Sequence, residues 1–183
     1  MANFITISAP GASFGVAKCM LGLFNGAGSG LILRVYRIWM LNNQTVAVTG
    51  LNNLMRVDRL TTGSGGIDLL PIRHDTNTST LPSEIVCATN LSFTSQSTLR
   101  RFFWSSDEPV ATGPATIDEL QVNPGFTAVV DHTWSYYSST VQPYVLREGY
   151  GLGVICENAY SAGSISTPVG SADLFMEFTA ETT

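Results

Sequence analysis

The sequence predicts an all-β protein, an antiparallel two-sheet β-sandwich, and three observations carry that reading. Near the end of the chain Leu152, Val154 and Cys156 recur at every second position, as do Leu174, Met176 and Phe178. Asp173 and Glu177 take alternate positions facing the other way. Period two with one apolar face is a half-buried strand. Segments of this kind return about every ten to fifteen residues, with turn signals between them and no convincing amphipathic helix. Charged residues make up only 13% of the chain while the hydrophobic fraction is an ordinary 44%, so Ser, Thr, Asn and Gly fill the surface instead. With about nine or ten strands, two packed antiparallel sheets are the economical architecture.

Taken in order, residues 1–14 read as an extended N-terminal arm, because Ser8-Ala9-Pro10-Gly11-Ala12-Ser13 is rich in breakers and carries no periodicity. Residues 15–183 form a single domain, a size that buries enough core to need no staples. Gly15 to Phe24 is a first strand, and Asn25-Gly26-Ala27-Gly28-Ser29-Gly30 a turn whose residues accept positive φ. Its glycines lack the GKS or GKT ending of a phosphate loop. Leu31 to Leu41 is the most strand-like run. Arg34 and Arg37, three apart, point to opposite faces unless a bulge lies between them or another subunit covers one face. We expect a central strand buried on both faces over most of its length.

Thr45 to Thr49 and Leu54 to Leu60 are further strands, and Thr61 to Gly66 a flexible loop. Ile67 to Ile72 is a short strand, and Arg73 to Pro82 is polar and turn-rich. Glu84 to Phe93 alternates, with Ile85, Cys87, Leu91 and Phe93 on one face, and Thr98 to Trp104 is aromatic and strand-like. Pro109 ends that strand, since proline cannot donate to a ladder. Thr116 to Val122 fits a strand or one helical turn, and Phe126 to Val130 a strand. Asp131 to Thr140 reads as an aromatic loop holding His132, Trp134, Tyr136 and Tyr137. From Gln142 to Thr179 come three strands, the first two joined by a tight glycine-bearing turn within Arg147-Glu148-Gly149-Tyr150-Gly151 and the last two by a polar Ser/Gly connection.

A surface of neutral hydroxyls and amides is cheap to desolvate when those groups find partners. It suits a chain that lies against other subunits, and equally a solitary Thr/Ser-rich β-protein. A net charge of −5 argues against nucleic acid, which needs a basic face. Lys18 is the only lysine, and the arginines are scattered apart from Arg100-Arg101. No apolar run is long enough to span a bilayer, and Met1-Ala2-Asn3-Phe4 does not begin like a secretory signal. Cys19, Cys87 and Cys156 lie in apolar strand patterns without CxxC spacing, so buried free thiols are expected, with synthesis in a reducing cytoplasm.

No catalytic constellation stands out. His74-Asp75 with Ser79 or Ser83 lacks both a nucleophile elbow and residues that point together. His132 follows Asp131, but two histidines outside a spaced motif do not make a zinc site. Asp107, Glu108, Asp118 and Glu119 read as solvated charge rather than a glycosidase pair. Asp58 and Asp68 near glycine loops lack a calcium-loop spacing. No cofactor or metal is expected. Trp134-Ser135-Tyr136-Tyr137 can plug one end of the sandwich, anchor a protein interface or stack on sugars.

Three passages carry a resemblance. They are Met20-Leu21-Gly22-Leu23-Phe24-Asn25 through the glycine turn to Leu33-Arg34-Val35-Tyr36-Arg37-Ile38; Thr98-Leu99-Arg100-Arg101 with Trp104-Ser105-Ser106-Asp107-Glu108-Pro109; and Val141-Gln142-Pro143 through Leu146-Arg147-Glu148-Gly149-Tyr150-Gly151 to the last strand. Across residues 15–180 the chain is similar to the head decoration or cement proteins of tailed bacteriophages. The likeness lies in texture and order more than in a diagnostic motif. It implies a jelly-roll-like sandwich, a homo-oligomer that is often a trimer, and a seat on the major capsid protein at the virion surface. It implies no enzymatic activity. The arm, with Phe4 and Ile5, would then reach across a seam between capsomers, and Trp134, Tyr136 and Tyr137 would be further partner contacts. The competing expectation is a carbohydrate-binding module or fibre head that uses the same three aromatic residues.

Overall fold

A computed structural model describes residues 3–42, 52–77, 79–105, 130–135, 142–161 and 164–182. The described residues are strands and connections without a helix. The strands are β1 (Phe4–Ser13), β2 (Lys18–Asn25), β3 (Leu31–Asn42), β4 (Asn52–Ser64), β5 (Ile67–Asp68), β6 (Ile72–Arg73) and β7 (Ile85–Thr89). They continue with β8 (Ser92–Ser105), β9 (Val130–Ser135), β10 (Tyr144–Leu146), β11 (Tyr150–Ser161), β12 (Ser164–Ser166) and β13 (Ser171–Thr182). They form two antiparallel sheets, as the alternation predicts. The first runs β10-β3-β13-β1-β6 with β9 also on β3; the second runs β5-β7-β2-β11-β4-β8 with β12 on β11.

The alternating apolar residues meet between the sheets. Ile5, Ile7, Leu33, Val35, Ile38, Met40, Leu174, Met176 and Phe178 from the first sheet join Leu21, Leu23, Met55, Val57, Leu152, Val154, Cys156 and Trp104 from the second in one core cluster. Full burial of each such side chain contributes roughly 1.5–3 kcal/mol, which makes this the main term holding the layers together.

The expected arm is instead a strand. Phe4–Ser13 is extended, yet β1 pairs with β13 along nearly its whole length and with β6 on its other side. Ile5, Ile7 and Ala9 are at most 1% exposed. Alternation inside Phe4-Ile5-Thr6-Ile7-Ser8-Ala9 outweighs the breakers that follow it, and the ladder absorbs Pro10-Gly11 with a register shift between Ala9 and Ala12.

In β3 the bulge, not burial on both faces, reconciles the two arginines. The register with β13 slips between Arg37–Glu177 and Val35–Phe178, leaving Tyr36 as the extra residue. Leu33, Val35, Ile38 and Met40 are fully buried while Arg34, Tyr36, Arg37 and Trp39 are half-exposed, so only one face of β3 is in the core.

Thr61 to Ser64, expected as loop, extend β4, and Ile67 to Ile72 split into β5 in one sheet and β6 in the other. Asp131 to Ser135 belong to β9 and pair with β3, so the first half of the expected aromatic loop is strand. The expected strands at 45–49 and 116–122, and most of the one at 126–130, lie outside the described residues.

The second sheet curls on itself. Gly63 pairs with Phe93 and Ser64 with Ser92. After a break at Gly65 and Gly66, both at positive φ, Ile67 pairs with Thr89 and Asp68 with Ala88 in the same register. The β4–β8 ribbon thus continues into β5–β7, and β7 pairs with β2 at the other side of the sheet. Asn90, at φ 55°, makes the matching bend. Inside the curl lies a second cluster of Cys19, Phe24, Leu60, Ala88, Leu91 and Ile155. That cluster is why Leu91 and Phe93 continue the apolar alternation past the end of β7.

Candidate interaction surface

The outer face of the first sheet is built by three central strands. The β3–β13 register sets Arg34 beside Thr179, Arg37 beside Glu177 and Trp39 beside Phe175. The β1–β13 register adds Phe4 beside Thr179 and Thr6 beside Glu177. The bulge at Tyr36 brings Arg34, Arg37 and Trp39 to one side. Trp39 and Phe175 stack with centroids 4.9 Å apart and planes 6° from parallel. The Arg37 guanidinium carbon lies 4.5 Å from the Trp39 centroid, a cation–π contact. Phe4 meets Tyr36 edge-on at 5.3 Å. Arg34 Nε bonds Glu181 Oε2 at 3.0 Å across the same face. These aromatics cover their neighbours: Glu177 is 9% and Thr179 1% exposed although both are on the outer face.

Of the residues singled out from sequence, Phe4 belongs to this surface. Ile5 does not: its neighbour position points inward, and it is 1% exposed in the core, so it cannot meet a partner. Trp134 pairs through its backbone with Ile38, and Tyr136 and Tyr137 lie outside the described residues. Sequence reasoning missed Tyr36, Arg37, Trp39 and Phe175. The signal for them was Asp173-x-Phe175-x-Glu177 on β13, and the unresolved choice of a bulge in β3.

Of the candidate catalytic groups, His74 and Asp75 make structural bonds, while Asp107, Glu108, Asp118 and Glu119 lie outside the described residues. His74 Nε2 and Thr6 Oγ1 share a hydrogen bond of 2.8 Å, and the His74 backbone N–H donates to Phe4 O at 2.9 Å. Asp75 Oδ1 accepts the Asn77 N–H at 2.9 Å, a local turn bond. The glycine turn holds an internal anion. Glu148 accepts the Gly30 N–H at 2.8 Å and the Gly28 N–H at 3.2 Å. Asn25, fully buried, braces the turn by donating to Leu31 O at 2.8 Å and Leu146 O at 3.1 Å.

On the second sheet Asp58 is fully buried. Ser95 Oγ donates to it, and Arg56 Nε lies 3.0 Å from its Oδ2. Glu157 joins Arg56 at 3.6 Å and Arg101 at 3.2 Å. No group of three or more His, Cys, Asp or Glu residues that could hold a metal ion occurs among the described residues. The three cysteines are free and buried, as the apolar context predicts. Burial pushes Cys19 up to about 12, with Asp58 adding to the rise. Burial likewise pushes Cys87 up to about 12 and Cys156 up to about 11.

Two apolar patches lie elsewhere among the described residues. Ile67, Leu70 and Ile72 are 63%, 83% and 55% exposed, on the segment that passes from one sheet to the other. Beside them Leu69, Leu70, Pro71, Leu81, Pro82 and Ile85 line a groove of about 400 Å³. At the other end of β4, Ile165 is 71% exposed and pairs with Tyr160, whose ring meets Phe103 at 5.9 Å.

Comparison with known proteins returns no matching family model, no matching curated protein and no matching solved structure.

Proposed function

We propose that this chain is a structural virion protein. It assembles on the outside of a phage capsid and strengthens the contacts between major capsid subunits, without catalysis of its own. The observation that carries this reading is the ladder of Arg37, Trp39 and Phe175 flanked by Phe4 and Tyr36. Tyr, Trp and Arg gathered on one sheet face are the residues that dominate protein interfaces.

The role is geometric. A shell under internal pressure is weakest at its seams. A subunit that buries on the order of 800 Å² against each neighbour stabilises only the assembled state, and many symmetric copies multiply the effect. The face that meets the shell is a sheet surface rather than an arm, because β1 is part of the fold.

The test is co-sedimentation of the purified chain with capsid shells stripped of accessory proteins. Saturable binding is expected, and Trp39→Ala should weaken it about tenfold or more. No binding, or equal binding by the variant, would overturn the proposal. Glycan binding is the competing reading. It would use Trp134, Tyr136 and Tyr137, and glycan binding that is lost on Trp134→Ala would favour it.

A further inference from the structure

Three buried polar atoms of the second sheet meet around one arginine. Asp58 is fully buried on β4. Its Oδ2 accepts the Ser95 hydroxyl of β8 and lies 3.0 Å from Arg56 Nε. Its Oδ1 has no hydrogen-bond partner. Glu157 of β11 repeats the pattern. Its Oε1 lies 3.6 Å from Arg56 Nη1 and 3.2 Å from Arg101 Nη2, while its Oε2 is buried without a partner. The third atom is Arg56 Nε itself. Its N–H is close to Asp58 Oδ2 but not directed at it, so it donates to no acceptor.

Register breaks lie on both sides of this cluster. The pairing of β11 with β4 slips between Cys156 and Asn158, leaving Glu157 as the extra residue. The pairing of β4 with β8 slips between Val57 and Asp58. Such breaks re-aim side chains that simple alternation would keep apart.

Charge and count decide what completes the hydrogen bonds. Asp58 and Glu157 are matched by Arg56 and Arg101, so the cluster calls for no further ion. It lacks two donors and one acceptor. A water molecule supplies two O–H donors and a lone pair, and a buried water makes about three hydrogen bonds to groups of this kind. Left unpaired, each of these groups would carry the full cost of its desolvation.

We infer that this site binds one internal water, which donates to Asp58 Oδ1 and Glu157 Oε2 and accepts from Arg56 Nε. The water joins β4 to the bulge of β11, as the Ser95 hydroxyl joins β4 to β8. The site belongs to the second sheet and stands apart from the outer face of the first.

The experiment is a high-resolution crystal structure of the full chain, joined to oxygen-17 relaxation dispersion in solution. A density peak is expected about 2.7–3.2 Å from all three atoms. Glu157→Leu removes one of the three partners at a side chain 24% exposed. With folding confirmed by circular dichroism, this variant is expected to hold one long-lived water fewer than the wild type. If the variant does not fold, the wild-type crystal structure decides alone. The absence of a peak would overturn the inference, as would rotated side chains that bond the three atoms directly to one another. A peak that gains the anomalous signal of a cation after soaking in rubidium or manganese, or an unchanged water count in the folded variant, would do the same.

Discussion

Gly22 of β2 sits directly opposite Gly153 of β11 in the second sheet. The space that the pair leaves open is where Leu91, Leu60 and the Cys19 sulfur pack. The curl of that sheet therefore depends on two missing side chains. A Cβ on Gly22 would lie 2.7 Å from Leu91 Cδ2 and 3.2 Å from Cys19 Sγ, whereas on Gly153 its nearest neighbours are at 3.3 Å. Overpacking of this kind costs about 1–3 kcal/mol. Thermal unfolding should show Gly22→Ala clearly destabilised and Gly153→Ala less so. Equal melting temperatures would contradict the packing.

Glu148 ties two distant turns. Its carboxylate accepts the Gly28 and Gly30 amides from the β2–β3 turn while its own backbone belongs to the β10–β11 turn. Glu148→Ala removes both bonds at an exposed site. Charge-assisted bonds discounted for solvent leave about 1 kcal/mol, or roughly 2–4 °C in melting temperature for a chain of this size. Amide exchange at Gly28 and Gly30 should accelerate in the variant while exchange in the core strands stays as it was.

Removing β1 tests the N-terminal segment. Ile5, Ile7 and Ala9 contribute buried surface, and the strand lies between β13 and β6. A chain that starts at Phe14 should lose cooperative unfolding and expose apolar surface to a dye such as ANS. A stable, cooperative truncated chain would restore the reading of residues 1–14 as an arm.

What the sequence made legible was wherever one apolar face repeats. Leu174, Met176 and Phe178 all reach the core, and so do Leu152, Val154 and Cys156. The β1 strand was hidden because Pro10-Gly11 suggests a break, and a bulge absorbs them without ending the ladder. The curl was hidden because Gly65-Gly66 and Asn90 look like loop ends; paired, they are two bends in one ribbon. The outer face was hidden because the bulge at Tyr36 shifts the period, so neither arginine can be assigned a side until the β13 register is known.

The thiols give a pH dependence. Their ordinary value is 9.0, and burial raises Cys19 and Cys87 to about 12 in the folded chain. The unfolded chain therefore loses these protons first as pH rises. Their stabilisation is fully present below about pH 9 and declines through the interval to about 12, at about 1.4 kcal/mol per unit for each thiol. Denaturant midpoints should fall with pH above 9 and fall less in Cys19→Ala, after allowing for its own packing loss. At pH 8 a thiol reagent should label the native chain far more slowly than the unfolded one; rapid labelling of Cys19 would contradict its burial.

The central claim is that the aromatic face of the first sheet holds a neighbouring subunit. An electron cryomicroscopy reconstruction of shells carrying this protein tests it most directly. The account predicts Tyr36, Trp39 and Phe175 against the capsid surface, with β3 and β13 forming the contact. A reconstruction in which that face points into solvent and another surface makes the contact would contradict it.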